Sequence, residues 1–111
     1  MRVLLDECVN PRVRETFPNY QIQTVKTMGW TGIANGKLMA LAQQSFDVFV
    51  TVDQNLEYRQ NLPTLKLGLI VVAVPDNNIK YFRPIFPGLL KAVESVHLGQ
   101  VIHITSPEMR T

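Results

Sequence analysis

Short apolar runs alternate with amphipathic stretches along this chain, and the alternation predicts strands separated by helices. The apolar and β-branched runs predict strands at residues 3–5, 20–25, 46–52, 67–74 and 101–104. Helical spacing and helix-start signals predict intervening helices at residues 11–17, 36–44, 53–59 and 87–97. Glycine and proline mark most of the boundaries, which is typical of short connections between elements.

A chain in which strands and helices alternate predicts right-handed crossovers and a mostly parallel sheet covered on both faces. We therefore expect a single domain over residues 1–111, a three-layer α/β/α sandwich with four or five strands. The last apolar run alternates with polar residues, which predicts an edge strand. The alternative is an α+β domain in which this final strand pairs antiparallel.

Composition narrows the class of protein. The chain has 46% hydrophobic and 18% charged residues, enough apolar material for a core and too much for intrinsic disorder. No apolar run approaches the roughly 18 residues that span a bilayer, and two acids interrupt the N-terminal run too early for a signal peptide. One cysteine excludes an internal disulfide, and with two histidines it cannot build a structural zinc site. We therefore expect a cytoplasmic protein with no membrane partner.

Acidic residues follow three of the predicted strands. Asp6 and Glu7 end the first, Asp53 ends the third and Asp76 ends the fourth. If the first and third strands are neighbours, Asp6 and Asp53 lie close together, and paired carboxylates repel unless a cation or a proton lies between them. Mg²⁺ or Mn²⁺ suits such oxygen ligands. The alternative is that each acid caps the helix that follows it.

Three motifs in order carry a family resemblance. They are LLDEC-NP at residues 4–11, G-x-x-N-G-x-L-x-x-L-A at residues 32–42 and FDVFVTVDQNL at residues 46–56. Together they resemble the bacterial PIN-like family, which is related to the VapC-type toxins. The resemblance implies a compact PIN fold, a metal-dependent ribonuclease site and, often, a neighbouring antitoxin gene.

The resemblance assigns roles to the strand-end acids. Asp6 matches the family's acid at the end of the first strand, and Asp53 matches the acid of the T-x-D segment. These two are the expected catalytic residues, and Asp6, Glu7 and Asp53 are the expected metal ligands.

The chain departs from the family pattern at two other acids. The middle acid falls on Asn35 or Lys37, and the later one falls on Asn55, with Glu57 two residues beyond. Asparagine can ligate through its carbonyl oxygen without contributing charge, whereas lysine opposes a metal and suits a phosphate. We therefore expect Asn35, Lys37, Asn55 and Arg12 to contact the substrate, and a single metal is favoured over two.

Two functions follow from these residues. The first is an Mg²⁺- or Mn²⁺-dependent endoribonuclease, the toxin of a toxin–antitoxin pair, in which a metal-bound water attacks the phosphorus of RNA. Lys26 and Arg59 are further candidates to position the RNA backbone, and Trp30 and Tyr58 to stack on bases. The alternative is a catalytically impaired PIN-like module that binds nucleic acid or protein without metal.

Two other features of the sequence concern a thiol and a self-association surface. Cys8 lies beside the acids, which raise a thiol pKa, so it is not expected to be a nucleophile. The 79–96 segment has more large apolar residues than one helix face needs, which favours a homodimer contact there.

Overall fold

Five parallel strands form one sheet in the computed structural model, which describes residues 1–109. The strands are β1 (Arg2–Leu5), β2 (Gln21–Thr24), β3 (Val48–Thr51), β4 (Gly68–Ala73) and β5 (Val101–Thr105). Their order across the sheet is β2-β1-β3-β4-β5. The predicted α/β sandwich is confirmed with five strands. The antiparallel alternative is wrong, because β5 pairs parallel with β4 at the edge of the sheet.

Helical segments connect every pair of consecutive strands. The α-helices are α1 (Asn35–Ala42), α2 (Ile79–Phe82) and α3 (Phe86–Ser95), and short 3₁₀ helices cover Pro11–Thr16, Leu56–Arg59, Leu62–Thr64 and Arg83–Ile85. The first connection begins as the sequence predicts, because the Asn10 side chain accepts a hydrogen bond from the backbone of Arg12 with Pro11 between them. The sequence predicts Asn35 as the cap of a helix that starts at residue 36. Helix α1 instead begins at Asn35, and Ala34 occupies the cap position without a side-chain bond.

Alternate residues of the strands feed two separate apolar layers. Val3 and Leu5 of β1 point into a cluster with the Pro11–Thr16 helix, α2 and α3. Leu4 points into the opposite cluster, with α1 and the Leu56–Arg59 segment. Successive side chains of a strand point to opposite faces of the sheet, and both faces are covered here. Apolar residues are therefore needed at every position of the strand, which explains the continuous apolar runs in the sequence.

The connections do not all have one hand. The β1–β2 and β4–β5 connections pack on the same face of the sheet, because the Pro11–Thr16 helix and α3 share one cluster. They cross that face in opposite directions, from β1 outward to β2 and from β4 outward to β5. Two crossovers on one face that run in opposite directions have opposite hands, so the expectation of uniformly right-handed crossovers is wrong for one of them.

Candidate active site at the carboxyl edge of the sheet

The reversal of strand order falls between β1 and β3. The chain leaves β1 toward β2 on one side and then returns to place β3 on the other side. Ligands of open parallel sheets bind beyond the strand ends at such a reversal. Leu5 pairs with Val50, and the next residue, Asp6, donates its backbone N–H to the Val50 carbonyl at 2.9 Å. The first and third strands are therefore neighbours in the sheet, which is the condition that the sequence set for this site.

Three donors hold the Asp6 carboxylate, which is only 7% exposed. Oδ1 accepts from the backbone N–H of Glu7 at 2.8 Å. Oδ2 accepts from the Thr51 hydroxyl at 2.7 Å and from the Cys8 thiol at 3.4 Å. Since a carboxylate has about four acceptor positions, these bonds orient Asp6 and leave part of its capacity free.

Thr51 links the two strand-end acids. Its hydroxyl oxygen accepts from the backbone N–H of Asp53 at 3.0 Å while its hydrogen points to Asp6. Thr51 is fully buried, and its bond to Asp6 is shielded from water, whereas the bond from Asp53 is partly buried. The result is a chain of two hydrogen bonds that joins the end of β1 to the residue two positions beyond Thr51.

The Asp53 side chain is also engaged locally. Its Oδ1 accepts from the backbone N–H of Asn55 at 3.0 Å, which stabilises the turn before the Leu56–Arg59 helix. The sequence left open that Asp53 caps this helix; Asn55 occupies the cap position instead, and Asp53 stabilises the turn that leads to it. The second oxygen, Oδ2, is not used in this turn, and Asp53 is partly exposed.

The expected three-carboxylate ligand set is not assembled. Within residues 1–109, no three His, Cys, Asp or Glu side chains are grouped so that they could hold one metal ion. Glu7 is exposed on the loop beyond β1. A closed protein cage is therefore not available here. Mg²⁺, however, is commonly held by one or two carboxylates together with water and substrate phosphates, and the free acceptor capacity of Asp6 and Asp53 fits that arrangement.

A small cavity opens beside Asp6 beyond the ends of β1 and β2. Its volume is about 150 Å³, and its lining consists of Asp6, Glu7, Val9, Pro11, Thr24 and Lys26. Lys26 adds a cation to a lining that also contains the carboxylates of Asp6 and Glu7. An ammonium group at this position can contact a phosphate oxygen as a point charge.

Cys8 is adjacent to the acids, and its chemistry is that of a protonated thiol. Although the residue is exposed overall, its sulfur lies 3.7 Å from the Thr51 hydroxyl and against Asp6. Burial of the sulfur, followed by the charge of Asp6, raises the Cys8 pKa above its ordinary value. The expectation that Cys8 is a poor nucleophile is supported, with burial rather than the acids as the larger cause.

The four expected substrate-binding residues are spread around this edge. Arg12 is exposed and pairs with Glu15, with Nε and Oε2 3.0 Å apart. Asn35 and Lys37 lie in the first turn of α1, half-buried and exposed respectively. Because α1 leads from the end of β2 back to the start of β3, this turn lies toward the carboxyl edge. Asn55 is exposed in the turn stabilised by Asp53.

Glu57 is held in a different contact from the one that the motif suggests. Its Oε1 is buried and lies 2.6 Å from Nε2 of His103 on β5. The two atoms are close enough for an ion pair when His103 is protonated. Their angles do not meet the geometry of a hydrogen bond. Glu57 thereby ties the loop after β3 to the edge strand.

The two aromatic candidates differ in availability. Trp30 is partly buried and packs edge-to-face on Phe46, with ring centroids 6.2 Å apart. Tyr58 is 78% exposed on the Leu56–Arg59 helix, and the next residue, Arg59, is exposed too. Tyr58 is therefore the aromatic ring that remains free to stack on a base.

No protein-family model, curated protein or solved structure matches the chain. The PIN-like resemblance thus depends on the three motifs alone. In the part of the chain that the structure describes, no helix is long and apolar enough to cross a membrane.

Sequence reasoning missed the side chains that hold the site together. Thr51 received no role, although its place two residues before Asp53 at a strand end is the available signal. Gln54 was also missed, and its amide bridges the ends of β3 and β4 by donating to the carbonyls of Val52 and Val72. No pattern in the sequence indicates that contact.

Proposed function

We propose that this chain hydrolyses phosphodiester bonds in RNA with Mg²⁺ or Mn²⁺ held by Asp6 and Asp53. The observation that carries the proposal is the chain of hydrogen bonds through Thr51 between these two acids at the reversal of strand order. A buried, oriented carboxylate at the end of β1, with a second, partly exposed acid after the neighbouring strand, is suited to hold an ion together with a phosphate.

The protein's own groups would orient the reacting parts. Thr51 and the Glu7 backbone fix the Asp6 carboxylate, which costs no reorganisation when substrate arrives. Lys26, in the cavity with Asp6, would contact a phosphate oxygen. A bound divalent ion would polarise a phosphoryl oxygen and lower the pKa of a water molecule.

Cleavage of labelled single-stranded RNA tests the proposal. The wild-type protein should cleave with Mg²⁺ or Mn²⁺ and not with EDTA. Asp6→Asn and Asp53→Asn should each reduce the rate about a hundredfold or more, because the stabilisation of charge by a metal is worth several kcal/mol.

Asp47→Asn is the matched control for these variants. Asp47 lies directly before β3, at the opposite end of the strand from Asp53, and binds the backbone of Arg2 through an oxygen that asparagine retains. The Asp47→Asn variant should cleave RNA at the rate of the wild type. If all four proteins cleave alike, the activity comes from a contaminant or from another site, and the proposal is wrong.

An antitoxin partner is the second part of this proposal, and it depends on the family resemblance. Expression of the chain alone should arrest bacterial growth, and co-expression of a small protein encoded beside it should restore growth. Growth arrest that persists with Asp6→Asn would contradict a toxin that acts through this site.

A metal-independent binding module is the second candidate function. The observation that favours it is the set of three donors on Asp6, together with Asn35 and Lys37 where the resemblance expects an acid. It predicts equal affinity for uncleaved RNA with Mg²⁺ and with EDTA. Metal-stimulated cleavage that Asp6→Asn removes would contradict it.

A further inference from the structure

A second cavity lies beyond the ends of β3 and β4, and Cys8 is part of its lining. Its volume is about 240 Å³, and it is lined by Cys8, Val52, Gln54, Ala73, Val74, Asp76, Asn77 and Met109. Most of this wall is apolar, with the polar groups confined to Gln54 and the loop after β4. Apolar walls with a few fixed polar groups are typical of small-molecule sites.

Gln54 presents only an acceptor to this cavity. Its Nε2 donates to the Val52 carbonyl at 3.0 Å and to the Val72 carbonyl at 2.9 Å. Because a primary amide has two N–H hydrogens, both are used by these bonds. The Oε1 atom is therefore the polar group left for a ligand, and the two backbone contacts fix its position.

Asp76 adds a second acceptor on the same lining. Its Oδ1 accepts from the backbone N–H of Asn78 at 2.8 Å, which fixes the carboxylate. A carboxylate has about four acceptor positions, so Oδ2 and a second position on Oδ1 are left for a ligand. The loop is held from outside as well, since the Asn10 side chain donates to the Asn77 carbonyl at 2.8 Å. The cavity thus combines apolar walls with two positioned acceptors.

A ligand that matches this lining is flat, largely apolar on its faces and rich in donors on one edge. Among the RNA bases, guanine carries adjacent N1–H and N2–H₂ donors, which one carboxylate can accept together. Uracil offers a single N–H on that edge, and adenine and cytosine offer an amino group beside an acceptor nitrogen. Proteins read single-stranded RNA by stacking and by hydrogen bonds to this edge.

We propose that this cavity binds a guanine base, with Asp76 and Gln54 as the groups that recognise it. Cys8 connects the cavity to the proposed active site, because it lines the cavity while its thiol bonds Asp6. The assignment of the base to an RNA substrate rests on the proposed function, whereas the recognition of guanine does not. A guanine held here lies next to the acid proposed for cleavage.

Calorimetric titration with mononucleotides in EDTA tests the cavity without catalysis. Wild-type protein should bind GMP about tenfold or more tightly than UMP and than IMP, the analogue that lacks only the N2 amino group; tenfold corresponds to about 1.4 kcal/mol. Asp76→Asn should remove this preference, and Asp47→Asn should retain it. Ala73→Leu, which fills the cavity, should weaken the binding of every nucleotide.

Several outcomes overturn this proposal. They are no GMP binding at millimolar concentration, affinity for IMP or for UMP equal to that for GMP, and a preference that survives Asp76→Asn. The comparison of GMP with IMP uses only the wild type, so it decides the matter even if a variant fails to fold.

Two further arms separate this proposal from the proposed function. If the protein cleaves RNA with metal but shows no guanine preference, the proposed function stands and the cavity proposal is wrong. If it prefers GMP but does not cleave RNA, the cavity proposal stands and the proposed function is wrong. A hexaribonucleotide with one guanine should bind more tightly than GMP if RNA is the natural source. Equal affinities assign the cavity to a free guanine nucleotide.

Discussion

Thr51 is the residue on which the geometry of the site depends. Its hydroxyl accepts a hydrogen bond from the backbone of Asp53 and donates one to Asp6, and the bond to Asp6 is buried. A buried donor or acceptor left without its partner costs about 1–3 kcal/mol. The hydroxyl therefore contributes to both the stability of the fold and the orientation of Asp6.

Replacement of Thr51 by valine tests this role. Thr51→Val keeps the shape but leaves Asp6 Oδ2 and the Asp53 N–H without this partner, so the free energy of unfolding in urea should fall by about 1–3 kcal/mol. Thr51→Ser retains the hydroxyl and is the control, with a smaller loss from the missing methyl group. Equal stability of the valine variant and the wild type would show that the hydroxyl is not needed.

The Cys8 thiol gives a pH-dependent signal from the same site. Because its pKa is raised and the thiolate is the reactive form, alkylation by iodoacetamide should increase at higher pH than for a free cysteine. Asp6→Asn removes one of the causes and should move this increase to lower pH, but not back to that of a free cysteine, because burial is the larger cause.

The folding consequence has a definite sign. A pKa raised on folding means that the unfolded chain loses this thiol proton at lower pH than the folded chain. The contribution to stability is therefore present below the unfolded pKa and is lost as the pH rises toward the folded pKa. A profile of Cys8 alkylation that matches a free cysteine in both proteins would contradict the described surroundings of the sulfur.

At the scale of elements, the sequence predicts the strands well because each is a buried apolar run. The four-residue strand β3 lies inside the predicted range 46–52, and the six-residue strand β4 inside 67–74. Whether a connection forms an α-helix or a 3₁₀ helix is harder to predict from the hydrophobic pattern. The segment Pro11–Thr16 is a 3₁₀ helix. The apolar contacts of Val13 within it and of Phe17 directly after it follow from tertiary packing rather than from a repeat long enough to recognise.

Gly99 shows how one turn positions the edge strand. Its φ of +78° is in the left-handed region, and an added Cβ would lie 2.6 Å from the Leu62 carbonyl oxygen. Its N–H donates to the Leu67 carbonyl at 2.8 Å, next to the start of β4. The turn before β5 therefore requires a residue without a side chain.

Gly99→Ala should lower the free energy of unfolding by about 1–3 kcal/mol, the usual cost of such a backbone conformation, with the carbonyl contact adding to it. Gly88→Ala is the matched control, because Gly88 lies in α3 and an added Cβ there meets nothing within 4 Å. That variant should gain about 0.5–1 kcal/mol from helix propensity. Urea denaturation measures both, and a neutral Gly99→Ala would contradict the described turn.

At the scale of the whole molecule, the order of the strands could not be read from the sequence. Each apolar run indicates a buried strand, but the side on which a connection crosses depends on packing between distant residues. The shared cluster of α3 with the Pro11–Thr16 helix is such a case, and it gives the β4–β5 crossover the opposite hand from the β1–β2 crossover. The proximity of Asp6 and Asp53 was predictable only on the condition that β1 and β3 pair.

The apolar excess of the 79–96 segment has an explanation within one chain. Phe82, Ile85 and Leu89 are buried in the same cluster as the strands, and Phe86 and Leu90 pack partly against it. The segment has many apolar residues because its two short helices cover one face of the sheet. Less apolar surface is therefore left for the homodimer contact that the sequence predicts than the pattern suggested.

The central claim is that Asp6 and Asp53 share one divalent ion. Anomalous scattering from crystals soaked in Mn²⁺, collected for the wild type and for Asp6→Asn, tests it most directly. The account predicts a manganese peak within coordinating distance of a carboxylate oxygen of each acid in the wild type, and its loss in the variant. A wild-type crystal with no manganese at Asp6 and Asp53, or with manganese only at other acids, would contradict the claim.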